Sequence, residues 1–215
     1  VIIIAGLAGF AGLTLASVLR DAKDPDHQHL IAESEELASR ARELADANGI
    51  SPAGAISLLR NDPHTQGPLL FQQHCASCHP KLDHSGDGIA AAEPSAPNLH
   101  RFGSVAWIEG MLDPERIAGV NYFEQTAFAD GEMVNAICDL YDGVEEDAKL
   151  ELQKQLHLVA IALAAEQQSE TFDDSSVAEG VELLTGDLAC TDCHRFHDEG
   201  DLGSAPDLTG YGSAE

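Results

Sequence analysis

Residues 75–79, Cys75-Ala76-Ser77-Cys78-His79, return later in the chain as Cys190-Thr191-Asp192-Cys193-His194. A Cys-x-x-Cys-His pentapeptide is the pattern of covalent c-type haem attachment. The two thiols add across the vinyl groups of the porphyrin, and the neighbouring imidazole becomes an axial ligand of the iron. The chain has five cysteines, so the two motifs leave only Cys138 outside them. Cys138 reads as a buried apolar residue. The spacing thus predicts two covalently bound haem c groups, with His79 and His194 as proximal iron ligands.

Other cysteine chemistries fit less well. A four-cysteine zinc site needs its pairs close in sequence, and Cys78 is too far from Cys190 for a zinc ribbon. A thioredoxin-like motif needs a βαβ context, which the sequence lacks. Two structural disulfides would leave the histidine that follows each pair unexplained.

Around the motifs the chain repeats itself. Ala96-Pro97-Asn98-Leu99-His100-Arg101-Phe102-Gly103-Ser104 matches Ala205-Pro206-Asp207-Leu208-Thr209-Gly210-Tyr211-Gly212-Ser213. Each copy follows its own motif. A haem-ligating histidine donates its second ring N–H to a backbone carbonyl, and Pro97 and Pro206 stand at matching points to supply it. For the sixth ligand of the first haem the chain offers two methionines, Met111 and Met133. Met111 falls on the inner face of the Trp107 helix, where core packing explains it. Met133, at the entry to a later helix, is the preferred ligand. No methionine follows His194, so the second haem's sixth ligand lies beyond Glu215, or is His197 or another histidine. An open position would imply peroxide or ligand chemistry. The remaining histidines read as solvated.

Hydrophobic periodicity predicts an all-α chain. Residues 1–19 carry no charge and are about long enough for a transmembrane helix, with a signal-peptide core as the rival reading. Residues 20–62 read as a helical spacer: a helix over 29–48 closed by Gly49, then a short one opened by Ser51 and Pro52. Residues 63–168 form a first cytochrome c domain, with Ser104 capping a helix and Leu152, Leu156, Val159 and Leu163 lining the inner face of another at 145–168. Residues 169–176 are a polar linker. Residues 177–215 begin a second domain that is too short to enclose a haem alone and reads as truncated.

Composition narrows the partners. A net charge of −26 makes nucleic acid an improbable ligand and favours basic partners or neutralising subunits. Aromatic residues are only 5% of the chain, which suits a core partly filled by a large flat cofactor.

The run Ile56-Ser57-Leu58-Leu59-Arg60-Asn61-Asp62-Pro63-His64-Thr65-Gln66-Gly67-Pro68, leading into Phe71-Gln72-Gln73-His74-Cys75, resembles the membrane-anchored multihaem cytochrome c portions of cytochrome bc-type complexes. The segments Phe102-Gly103-Ser104-Val105-Ala106-Trp107 and 205–213 are similar to that family's repeated motif. The resemblance implies two class I-like cytochrome c domains, with Met133 at the family's ligand position. It implies electron transfer from a Rieske iron–sulfur subunit, beside cytochrome b, to a downstream cytochrome or oxidase. It also implies the inner membrane as location, with haem domains on the periplasmic side. The chain is then an electron-transfer subunit of a quinol:cytochrome c oxidoreductase, not catalytic by itself. A terminal-oxidase cytochrome c subunit and a dihaem peroxidase are the rival classes.

Overall fold

The computed structural model describes residues 2–168, 170–203 and 205–213. Among these the chain is mostly helical and divides into two compact units, residues 1–71 and 72–215.

In the first unit, α1 runs Ile2–Asp21 and α2 runs Pro25–Asn48. The expectation that residues 1–19 cross a membrane is corrected: among the described residues no helix is long and apolar enough to do so. The uncharged part of α1 reaches about 27 Å at 1.5 Å per residue, against ~30 Å of hydrocarbon. Gly6, Gly9, Gly12, Thr14 and Ser17 lie among its apolar residues, and Arg20 and Asp21 close the helix. Val1 lies outside the described residues. Helix α2 starts four residues earlier than its apolar stripe foretells. Asp24 is its N-cap, accepting from the Asp26 and His27 amides at 3.1 and 3.4 Å, and Pro25 takes the first turn. Gly49, at φ 73, ends it as expected. Ser51 and Pro52 form a turn instead of opening a helix; α3 spans Ile56–Arg60.

Asp62 ties this unit together. Its side chain is 2% exposed and meets Arg40 of α2 in a two-point fork at 2.7 and 3.0 Å. The same carboxylate accepts from the Thr65 amide (3.1 Å) and hydroxyl (2.7 Å), so it also caps α4, Pro63–His74. The hydrogen bond from Arg40 holds the Asp62 carboxyl well below its ordinary 3.8, against desolvation that pushes it up. A carboxylate with a depressed folded pKa stabilises above its unfolded value, and that stability is lost as pH falls below it. Hydrogen exchange at the Thr65 amide is therefore expected to be steady near neutral pH, after correction for intrinsic rates, and to lose protection below pH 3.8. Asp62→Asn should lower protection at neutral pH and flatten that acid limb. Equal protection in both proteins at pH 7 would overturn the assignment.

The second unit has one core. A hairpin of β1 (Lys81–Leu82) and β2 (Gly88–Ile89) follows the first Cys-x-x-Cys-His motif. Then come α5 (Val105–Met111), α6 (Pro114–Ile117), α7 (Glu132–Tyr141), α8 (Glu146–Ala165) and α9 (Asp174–Glu182). Ser104 caps α5 and Asp113 caps α6, each with a side-chain oxygen on a first-turn amide. The stripe read from sequence is the buried one: Leu152, Leu156, Val159 and Leu163 all face inward on α8.

Helix α8 packs on α5 and α9. Gly180 brings α9 so close that a Cβ there would strike the Leu158 carbonyl of α8. After α9 the chain widens into a π-helical turn, Leu183–Asp187.

The stretches expected as a first and a partial second cytochrome c domain share one core. Leu183, Leu184, Phe196 and Leu208 of the second half are buried in one cluster with Trp107, Ile108, Ile117 and Val159 of the first. The physical reason is size. Some forty residues cannot bury a core of their own, so residues 177–213 complete theirs on α8. The expected linker at 169–176 is short-lived: Asp173 already caps α9, and Phe172 packs against the core. Ser169 of that linker, and Ala214 and Glu215 of the second half, lie outside the described residues.

Candidate functional site

Both motifs fold as a single helical turn. In the first, the Cys78 and His79 amides donate to the Cys75 carbonyl at 3.1 and 2.9 Å. In the second, the Cys193 and His194 amides donate to the Cys190 carbonyl at 3.2 and 2.9 Å. Positions i, i+3 and i+4 of such a turn share one side. Each motif therefore presents two sulfurs and one imidazole together. The second turn is entered through Ala189, held at φ 50. All four motif thiols are free, as is Cys138, which is exposed on α7 and not buried as expected. The thiols differ in acidity. Hydrogen bonds from Ser95 and then Ser77 draw the Cys78 thiol down, while burial pushes the Cys190 thiol up.

The two imidazoles are held alike. His79 Nδ1 lies 2.8 Å from the Pro97 carbonyl, and His194 Nδ1 lies 2.8 Å from the Pro206 carbonyl. A carbonyl only accepts, so each Nδ1 carries the proton and each Nε2 keeps its lone pair. That is the tautomer an iron ligand requires.

The loops that carry the prolines are also built alike, up to a point. The Leu99 amide donates to the Pro80 carbonyl at 2.8 Å, and the Leu208 amide to the Arg195 carbonyl at 2.8 Å. Asn98 Oδ1 accepts from the His100 amide at 3.0 Å, and Asp207 Oδ1 from the Thr209 amide at 2.9 Å.

Beyond this the copies diverge. Asn98 is buried, and its amide closes a circuit. Its Oδ1 also accepts from the Leu82 amide at 3.1 Å, and its Nδ2 donates to the Leu82 carbonyl at 2.8 Å and Asn121 Oδ1 at 3.2 Å. The Asn98 carbonyl takes the Trp107 indole N–H at 2.9 Å. Asp207 is half-exposed and makes no such circuit. There the His197 amide donates to the Thr209 hydroxyl at 2.8 Å, and the closing role passes to Glu166, at the end of α8.

The two repeat copies meet. The rings of Phe102 and Tyr211, equivalent residues, stand 5.3 Å apart. Gly103 and Gly212, also equivalent, both press on the Gln167 side chain at φ 74 and 73. Phe102 continues edge-on to Trp107 at 4.8 Å, and the Tyr122 hydroxyl donates to the Trp107 carbonyl at 3.1 Å. Burial pushes the Tyr211 phenol well above its ordinary value.

Of the residues singled out by sequence, the structure brings Cys75, Cys78, His79 and Pro97 together, and likewise Cys190, Cys193, His194 and Pro206. Met133 sits on the first turn of α7, half-buried against the common core, and Met111 packs on that same core. His197, a rival ligand for the second haem, is turned to Glu166. Among the described residues no group of three or more His, Cys, Asp and Glu side chains gathers to hold a bare metal ion. Sequence reasoning passed over Asn98, Glu166 and Gln167. The repeat gave no sign of the first, since it aligns Asn98 with the similar Asp207.

Comparison of the chain with protein-family models, with curated proteins and with solved structures returns no match.

Proposed function

We propose that the chain is a dihaem c-type cytochrome that moves single electrons. The observation that carries this reading is the pair of Nδ1-to-proline-carbonyl hydrogen bonds, each 2.8 Å, behind two Cys-x-x-Cys-His turns of the same geometry. The residues present fit a haem at each place. Cys75 and Cys78, or Cys190 and Cys193, supply unpaired thiols for the vinyl groups, and His79 or His194 supplies an imidazole with a free Nε2. A porphyrin brings four nitrogens of its own, so a gathered set of protein ligands is not needed. The bound group supplies a reversible one-electron couple. The chain's part is to hold the imidazole, bury the ring face and exclude water.

Met133 is the proposed sixth ligand of the first haem. The exposed surface charge favours a basic electron partner. Rieske and cytochrome b subunits of a quinol-oxidising complex are the proposed source of electrons, and a downstream cytochrome or oxidase the proposed acceptor. Haem c attachment assigns the protein to a compartment outside the cytoplasm.

The test is the intact mass and the pyridine haemochrome spectrum of the protein produced with a c-type maturation system. Two covalent haems per chain are expected, and one in Cys190→Ala/Cys193→Ala. A chain that matures without covalent haem would overturn the reading. Turnover of peroxide with a high-spin ferric second haem would replace electron transfer with peroxidase chemistry.

A further inference from the structure

One carboxylate spans the loop that holds the second histidine. Glu166 Oε2 accepts from the Gly210 amide at 2.7 Å, and Glu166 Oε1 lies 3.0 Å from His197 Nε2. His197 is on the limb that leaves His194, and Gly210 is on the limb that follows Pro206. Glu166 thus pins both limbs of the 195–210 loop to the end of α8. It is well shielded, its side chain 19% exposed, whereas the His197 side chain is 53% exposed. Among the described residues the first copy shows no counterpart. Arg101 stands where Gly210 stands in the repeat, and the buried Asn98 closes that loop from within.

We infer that Glu166 is a positioning residue for the second haem: it fixes the loop whose Pro206 carbonyl sets the rotation of the His194 ring. The inference rests on the dihaem reading. The azimuth and basicity of an axial imidazole depend on the partner of its far nitrogen, and they tune the potential of the iron. Loosening the Pro206 carbonyl therefore acts on one haem and not on the other. Gln167, the next residue, touches both repeat copies, but through packing on Gly103 and Gly212 and without a hydrogen bond to either loop. Of these two neighbours at the end of α8, it is Glu166 that holds the loop by hydrogen bonds.

The test uses the full-length matured protein and three variants: Glu166→Ala, Glu166→Gln and, as control, Glu151→Gln, an exposed α8 carboxylate paired with Lys154. Haem content is measured first. The midpoint potentials are then read by spectroelectrochemical titration, with Cys190→Ala/Cys193→Ala identifying the first haem's value. Amide exchange at Gly210 reports the loop without reference to haem. Glu166→Ala is expected to shift the second midpoint, leave the first in place and speed exchange at Gly210. Glu166→Gln, whose amide oxygen still accepts from Gly210, should recover part of both effects. Should Glu166→Ala fail to fold, the isosteric Gln variant carries the comparison.

Two attached haems with unchanged midpoints would overturn the inference and leave the dihaem reading intact. Both midpoints moving together would also overturn it, since general loosening of the core does that. Absence of covalent haem from the wild-type chain would instead remove the reading itself.

Discussion

Gly180→Leu is expected to unseat α9 from α8 and to cost the second unit about 3 kcal/mol or more. Overpacking of a core site usually costs 1–3 kcal/mol because flexible side chains can yield. Here the obstacle is the Leu158 carbonyl, with the Ala162 Cβ beside it, and neither can move without the whole helix. The loss carries further than the contact, because α9 leads directly to Leu183 and Leu184, which fill the core beneath the second motif. A thermal melt should show a Tm lower by roughly 6–12 °C, at ~2–4 °C per kcal/mol for a chain of this size. Gly9→Ala is the matched control. It lies within α1, and a Cβ there would meet no atom beyond its own helix within 4 Å. Replacing that helical glycine should raise stability by ~0.5–1 kcal/mol. A Gly180→Leu protein melting with the wild type would dispose of the close helix contact.

Asn98→Ala is expected to be nearly as damaging, through hydrogen bonds instead of volume. The side chain accepts from two backbone amides and donates to a backbone carbonyl and to Asn121. Removing it leaves the Leu82 and His100 amides without their partner in a part-buried site. An orphaned buried donor costs about 1–3 kcal/mol, so a total of about 2–4 kcal/mol follows. The effect should also be directional. Pro97, whose carbonyl holds His79, is the adjacent residue, and the Asn98 carbonyl carries the Trp107 indole. The Nδ1–H of His79 should become exchangeable on a faster timescale while that of His194 does not, which NMR of the imidazole protons separates. Asn98→Asp is a stricter probe. It keeps the accepting oxygen and removes the Nδ2 donor to the Leu82 carbonyl, at the cost of a buried charge. Equal behaviour of the two histidines in Asn98→Ala would show that the circuit does not serve the imidazole.

The parts legible in the sequence were those fixed by short-range chemistry. Cys-x-x-Cys-His is a local pattern, and the proline carbonyls follow from a repeat visible by alignment of the chain with itself. Leu152, Leu156, Val159 and Leu163 announce the buried face of α8 by their spacing alone. Elements that depend on distant partners were not legible. Nothing in residues 177–213 states that their core is completed by α8, because periodicity marks which face is apolar and not what covers it. The closing roles of Asn98 and Glu166 are invisible for the same reason: each side chain acts on backbone groups more than ten residues away. The membrane reading of residues 1–19 failed on a margin. Counting uncharged residues overlooks that, wound as a helix, they reach only about 27 Å of the ~30 Å of hydrocarbon. The start of α2 was missed through a cap: Asp24 and Pro25 are a strong signal that precedes the apolar stripe.

The shared core has a consequence for the order of biogenesis. Cys75–His79 leaves the ribosome well before Leu183, Leu184, Phe196 and Leu208, the residues that finish the same core. At roughly 5–20 residues per second the delay is on the order of ten seconds. Throughout that interval the first thiol pair stands on a chain that cannot yet close. The residues that seal the cluster are made more than a hundred residues after the first motif, so the first cysteine pair stays open on an unclosed chain through that interval, and a chain cut short before Leu208 would be left with an unfinished core.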